Sequence, residues 1–230
     1  MSTAEYLIAF PASNRLANNS QQLIEKLEAG AIEPQNELCV LVAHDFADEV
    51  LRALLLNSLE NDRVSKMNKG ILTQLAKVVS KSTHFMINKV LAKLSNAEML
   101  PLAQYIDKTR ITIESENELL TMIVCPLSED DKLLFDDIKA ASLSGNGVSE
   151  QAKVGRFIQA MSESAIDHFM REPTQLIKLG VISGKLVETT YHAVRKGTSS
   201  AVKKAAANMG EQDIANFVED TLPKIMMRPA

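Results

Sequence analysis

Proline and glycine residues divide this chain into segments in which apolar residues recur every three or four positions. That spacing places them on one face of an α-helix, and a proline or glycine at the segment end stops the helix. The chain has no Trp, seven Phe and three Tyr, so aliphatic side chains must fill its interior, which favours packed helices over aromatic-rich sheets. The sequence therefore predicts an all-α fold, a multi-helix bundle.

Breakers and capping signals set the bounds of the individual helices. Ser95 and Glu98 have the spacing of a capping box, and Ser128 with Asp131 marks another helix start. We expect helices over residues 2–9, 19–29, 36–60, 71–94, 96–108, 129–142, 149–171, 185–208 and 211–222. Gly180 and Gly184 are expected to flank a break before the helix 185–208.

Residues 110–124 are ambiguous. Apolar and polar residues alternate over 111–114, as in a strand, with a hairpin turning at 116–117. Ser115 and Glu118 instead have capping-box spacing, which starts a helix. We favour the helix, and expect at most one short β-hairpin in the fold.

The segment 144–147, Ser-Gly-Asn-Gly, is typical of a linker. The charge changes sign there: residues 1–150 hold 14 basic and 21 acidic residues, net −7, whereas residues 151–230 hold 11 and 8, net +3. We predict an acidic helical half, residues 1–144, and a basic helical half, residues 148–230, which pack either separately or as one domain.

Three short motifs occur in the same order in both halves. Residues 73–77, 78–84 and 102–107 match residues 174–178, 186–192 and 214–219 by residue class. The offsets between partners differ by four and seven residues, about one and two helical turns. We therefore expect two pseudo-symmetric helical units, over roughly 36–108 and 149–222.

The stretch 174–209 carries the strongest local charge, with one acid, Glu188, against six basic residues. These predicted binding residues are Lys178, Lys185, Arg195, Lys196, Lys203 and Lys204. The opposite face of the helix 185–208 has a narrow apolar stripe that ends in alanines, whereas a membrane-surface helix needs bulkier residues. We expect a non-catalytic binding protein that docks an anionic partner, an acidic protein or a phospholipid surface, on this basic face. A second copy of the chain is a further candidate partner.

A nucleic-acid-binding regulator is the alternative function. A degenerate helix-turn-helix near 174–196 would place Gly180 in the turn and Lys185, Arg195 and Lys196 near phosphates. Leu176 and Thr189 depart from that motif, which prefers a small and an apolar residue at these two positions.

A metal enzyme is the third function considered. Glu188 and His192 lie four residues apart, and Glu163, Asp167 and His168 lie on a preceding helix, as in bundle metal sites. The dipeptide His44-Asp45 also occurs in HD-type phosphohydrolases, but their metal site needs a histidine upstream, and His44 is the first.

Motifs for covalent catalysis and for nucleotide cofactors are lacking. The sequence contains no Gly-x-Ser-x-Gly, no P-loop and no Gly-x-Gly-x-x-Gly, so we predict no cofactor and favour a non-enzymatic role. Cys39 and Cys125 lie in apolar runs without metal-ligand spacing, which indicates buried free thiols. The lack of a signal peptide or a long apolar run predicts a cytoplasmic protein.

Overall fold

The computed structural model describes residues 7–57, 65–115, 118–143 and 151–227. Most of these residues are helical, which confirms the predicted class. The helices are α1 (Asn14–Glu28), α2 (Asn36–Leu51), α3 (Lys66–Val90), α4 (Asn96–Lys108), α5 (Glu129–Leu143), α6 (Gln151–Ile166), α7 (Glu172–Gln175), α8 (Val181–Ala207), α9 (Glu211–Asn216) and α10 (Leu222–Ile225). The strands are β1 (Leu7–Pro11), β2 (Arg110–Ser115), β3 (Glu118–Pro126) and β4 (Met226–Met227).

The predicted bounds hold best where a cap is strong. Helix α4 begins and ends where expected. Its start is fixed by the predicted capping box, in which the Ser95 backbone N–H donates to Glu98 Oε2 at 2.8 Å. The Asp131 backbone N–H donates to Ser128 Oγ at 3.2 Å, which likewise fixes the start of α5. The prediction that Gly180 and Gly184 flank a break was wrong at its second residue: Gly180 is the N-cap of α8, and Gly184 lies inside that helix.

Two expected helices are strands. Within the described residues, four antiparallel strands form one sheet in the order β2-β3-β1-β4. The helix favoured over 110–124 was wrong because its β-branched residues pair as a hairpin. The helix expected over 2–9 was wrong for residues 7–9, since β1 is a short apolar run that pairs on both edges; residues 2–6 lie outside the described residues. The sheet is thus larger than the single hairpin expected.

The sheet connects two hydrophobic clusters. Ile8 and Cys125 face each other across β1 and β3 and are both fully buried in the smaller cluster. Phe10 and Ile123, two residues further along each strand, belong to the larger cluster. Each cluster combines residues from before and after the predicted boundary at 144–148. The division into two halves stays a prediction, because residues 144–150 lie outside the described residues.

Proline explains two irregular turns. The helix that starts with α6 widens into a π-helical turn at Asp167–Arg171, and α9 does so at Phe217–Thr221. Pro173 and Pro223 follow these turns at the same spacing. A proline lacks the N–H for an α-helical bond and clashes with the carbonyl four residues earlier, which in both cases lies inside the π turn. A third π turn, Arg52–Leu56, follows α2 without a proline.

The predicted pseudo-symmetry is not confirmed. Residues 73–77 lie within one uninterrupted helix, α3, whereas their counterparts 174–178 span the end of α7 and the loop that follows. In the part of the chain that is described, no helix is long and apolar enough to cross a membrane.

Candidate functional site

The six predicted binding residues lie along α8 and the loop before it. Lys178 is exposed in that loop, and the four lysines of α8 are exposed as well. The face opposite to Lys185, Lys196 and Lys203 is buried and contains Val187, Val194 and Ala201. The outer face of α8 is thus solvent-accessible and basic in the described structure.

Arg195 differs from the lysines because it already has partners. Its guanidinium donates to Glu163 Oε2 at 2.8 Å and to the hydroxyl of Tyr191 at 2.9 Å. Hydrogen bonds from the Gln159 amide and from Arg195 lower the pKa of the Glu163 carboxyl. Arg195 therefore joins α8 to α6 and has less freedom than the lysines to contact an anion.

A second basic helix, missed by the sequence analysis, lies beside α8. Helices α3 and α8 pack against each other, with Gly197 facing Leu75, and both bury side chains in the larger cluster. Helix α3 contains five lysines and no acid. We define the basic surface as the exposed lysines of the two helices beyond the first turn of α3: Lys77, Lys81, Lys89, Lys185, Lys196, Lys203 and Lys204. Helix α3, from the first half of the chain, thus extends the basic face of α8.

None of these seven lysines forms an ion pair with another described residue. Two acids of α2, which packs beside α3, pair with other residues: Asp45 with Arg15 at 2.5 Å, and Asp48 with His84 of α3 at 2.8 Å. Exposed apolar side chains lie among the α3 lysines: Val78 is 45% and Phe85 54% exposed. The ammonium of Lys89 lies 5.8 Å from the centre of the Phe85 ring.

The groups considered as metal ligands are not brought together. Within the described residues, no cluster of three or more His, Cys, Asp or Glu side chains has the geometry to hold a metal ion. Glu188 and His192 form an exposed pair 3.5 Å apart on the surface of α8. Asp167 accepts a hydrogen bond from Tyr191 at 2.5 Å. The carboxylate–histidine constellation therefore serves as separate ion pairs and hydrogen bonds.

His168 belongs to a polar network at the π turn. The Tyr105 hydroxyl donates to Glu172 Oε2 at 2.5 Å, and His168 Nδ1 lies 2.9 Å from the same hydroxyl. Burial, followed by the bond to Glu172, raises the pKa of Tyr105, which therefore remains a neutral donor. The network joins α4 to the helix that carries the π turn.

The segment 174–196 forms a short helix, a loop and a long helix. Helix α7 has four residues, the loop ends at Gly180, and α8 begins at Val181. Three side chains here expose large apolar surface: Leu176, Val181 and Ile182. Of the three side chains expected near phosphates, Lys185 and Lys196 are exposed and Arg195 is engaged by Glu163. A nucleic-acid role for this segment stays a prediction.

An apolar cavity lies between the helices of the larger cluster. It has a volume of about 200 Å³, and its walls come from α2, α3, α4, α6, α8 and the π turn at Asp167–Arg171. This cavity is not predictable from the sequence, because its lining residues follow the same apolar periodicity as a filled core.

Comparison with known proteins leaves the function open. No protein-family model matches the chain, and neither the curated proteins nor the solved structures contain a significant match.

Proposed function

We propose that the chain is a non-catalytic binding protein that docks an acidic protein on the basic surface. One observation carries the proposal: two packed helices together hold ten basic residues and a single acid, in a protein of net charge −4. A one-sign surface raises the local concentration of partners of opposite charge and speeds their association.

The surrounding structure supports this proposal. The seven lysines have no ion-pair partner among the described residues, so a partner carboxylate does not have to displace an internal one. Val78 and Phe85 add apolar area between charges, and large apolar side chains contribute to protein interfaces. A flexible, exposed lysine gains little from one ion pair. Binding therefore depends on several lysines acting together.

The test uses a fluorescein-labelled acidic peptide rich in Glu and Leu, with binding measured by fluorescence anisotropy. The variant reverses three charges: Lys196→Glu, Lys203→Glu and Lys204→Glu. The matched control reverses three exposed lysines elsewhere, at Lys26, Lys108 and Lys139. Because both variants change the net charge equally, only the location of the charges differs.

We expect the peptide to bind the wild-type chain and the control variant with nearly equal affinity. The α8 variant should bind it about tenfold more weakly, a loss of about 1.4 kcal/mol in binding free energy. Binding should also weaken with added salt, which screens exposed charges. Equal loss in both triple variants, or no binding at low salt, contradicts the proposal.

Two further probes distinguish the partner classes. Phosphatidylserine vesicles and duplex DNA are compared with the peptide at the same ionic strength. Stronger binding to the vesicles would replace the acidic protein by a phospholipid surface. A salt-dependent gel shift with DNA, at affinities above that for the peptide, would favour the nucleic-acid-binding regulator.

A further inference from the structure

We propose that the apolar cavity binds a neutral ligand with an aliphatic chain of medium length. The walls that carry this inference are aliphatic on every side: Val50 from α2, Val79 and Met86 from α3, Leu102 from α4, and Val187 and Val194 from α8. Binding here is independent of the basic surface, because that surface lies on the opposite faces of α3 and α8.

Three hydroxyl groups in the cavity wall already have hydrogen-bond partners. The Ser162 hydroxyl donates to the carbonyl of Ile158 at 2.7 Å, and that of Thr174 to the carbonyl of Arg171 at 2.8 Å. The Tyr105 hydroxyl donates to Glu172. Among the described residues that line the cavity, none is charged. A carboxylate inside it would lack a counter-ion and would lose its hydration, which is strongly unfavourable, so the ligand is neutral.

The size of the cavity fits a single chain. An apolar cavity of about 150 Å³ stays dry and accepts benzene, and this one is somewhat larger at about 200 Å³. An empty cavity destabilises a protein because its lining atoms lose contacts. A ligand that fills the space restores those contacts, and Met86 and Met170 in the wall adapt easily to its shape.

Small side chains create the space. Ala43 and Ala47 line it from α2, Ala103 from α4 and Ala165 from α6. Leu or Ile at these positions would fill the space and give the packing density of an ordinary protein core. Ala43 and Ala47 are only half-buried, and we place the route of entry at this wall of the cavity.

The experiment measures displacement of N-phenyl-1-naphthylamine from the full chain by a series of n-alcohols. We expect 1-decanol to displace the dye saturably, with decanoate at pH 8 at least tenfold weaker. The variant Ala43→Leu/Ala47→Leu fills the cavity and should bind decanol at least tenfold more weakly. The control Ala193→Leu/Ala207→Leu adds the same groups on the exposed side of α8 and should bind as the wild type.

A second variant works in the opposite direction. Met86→Ala enlarges the cavity and should shift the preferred alcohol to a longer chain. This shift in preferred chain length is measurable even if the variant Ala43→Leu/Ala47→Leu fails to fold. Far-UV circular dichroism shows whether that variant is folded. Decanol should also raise the melting temperature of the wild type.

Three outcomes would overturn the proposal: no saturable decanol binding, equal binding by the filled variant and the wild type, or tighter binding of decanoate than of decanol. The triple reversal at Lys196, Lys203 and Lys204 should leave decanol binding unchanged. A failure of the cavity proposal is therefore distinguishable from a failure of the basic surface.

Discussion

The imidazole of His44 stacks on that of His84, with the ring centroids 4.3 Å apart and the ring planes 11° from parallel. His84 Nε2 lies 2.8 Å from Asp48 Oδ1, whereas His44 Nε2 is buried without a hydrogen-bond partner among the described residues. Burial, followed by the adjacent His84, lowers the pKa of His44 below its ordinary 6.5, although Asp45 and Asp48 oppose this shift. The stacked pair therefore favours a neutral His44.

This pair predicts that the protein loses stability in mild acid. Because the pKa of His44 is lower in the folded state, the unfolded chain binds a proton near pH 6 that the folded chain does not. The contribution of His44 is complete above pH 6.5 and declines as the pH falls through that value toward the lowered pKa. Urea unfolding at pH 7.5 and 5.5 should show a lower free energy of unfolding at pH 5.5.

Replacing His44 by Phe keeps an aromatic ring against His84 and removes the titrating group. The His44→Phe chain should lose less stability than the wild type between pH 7.5 and 5.5. His192→Gln, on the exposed face of α8, serves as the control and should follow the wild type. The same pH dependence in His44→Phe as in the wild type would show that other groups cause the acid sensitivity.

Arg195 should contribute to stability more than to partner binding. Its side chain is 39% exposed and that of Glu163 36%, so solvent screens their attraction and the pair is worth about 0.5–1 kcal/mol. Arg195→Ala should lower the free energy of unfolding by about 1 kcal/mol, since it also removes the hydrogen bond to Tyr191. A double-mutant cycle with Glu163→Ala isolates the ion pair.

Lys196→Ala is the matched control, because Lys196 follows Arg195 in α8 and has no ion-pair partner among the described residues. It should change stability by no more than about 0.5 kcal/mol and should weaken binding of the acidic peptide more than Arg195→Ala does. A coupling energy near zero between Arg195 and Glu163 would mean that their contact is incidental.

Local signals predicted the helices well, because caps and breakers act within a few residues. The Ser95 capping box and the Ser128 helix start required no knowledge of distant partners. The strands depended on pairing: β1 is stable as a strand because β3 lies beside it, over a hundred residues away in sequence. At 110–124 two capping residues favoured a helix and a run of β-branched residues favoured a strand. The pairing of β2 with β3 decided between them.

The candidate sites likewise include features that are visible in the local sequence and features that depend on packing between distant segments. Charge along one helix was visible in the sequence, so five exposed lysines of the stretch 174–209 were found. The contribution of α3 was missed because its five lysines are spread over 25 residues, and only packing places that helix beside α8. The cavity was unpredictable for another reason: its alanines look like ordinary core residues until the distances between helices are known.

The two cysteines should be unreactive in the folded protein. Both are free and buried, and burial raises the pKa of the Cys39 thiol to about 12 and that of Cys125 also to about 12, with Glu172 adding to the latter. The thiolate, which is the reactive form, is therefore scarce at pH 8. We expect no reaction with Ellman's reagent in the native state and two reactive thiols in guanidinium chloride. Rapid labelling of either thiol without denaturant would mean that the region around it opens readily.

The close approach of α6 and α8 depends on Gly155. A Cβ built at that position would lie 2.9 Å from the Cβ of Ala206. The backbone fixes the position of a Cβ atom, so no side-chain rotation can relieve this contact. Gly155→Ala should therefore force the helices apart and lower the free energy of unfolding by about 1–3 kcal/mol, despite the better helix propensity of Ala. Gly70→Ala in α3 is the control, because no other described part of the structure lies within 4 Å of its added Cβ. There the same substitution should raise the free energy of unfolding by up to about 1 kcal/mol. Chemical denaturation should therefore show that Gly155→Ala destabilises the protein and Gly70→Ala stabilises it. Stabilisation by both substitutions would contradict the tight packing of α6 on α8.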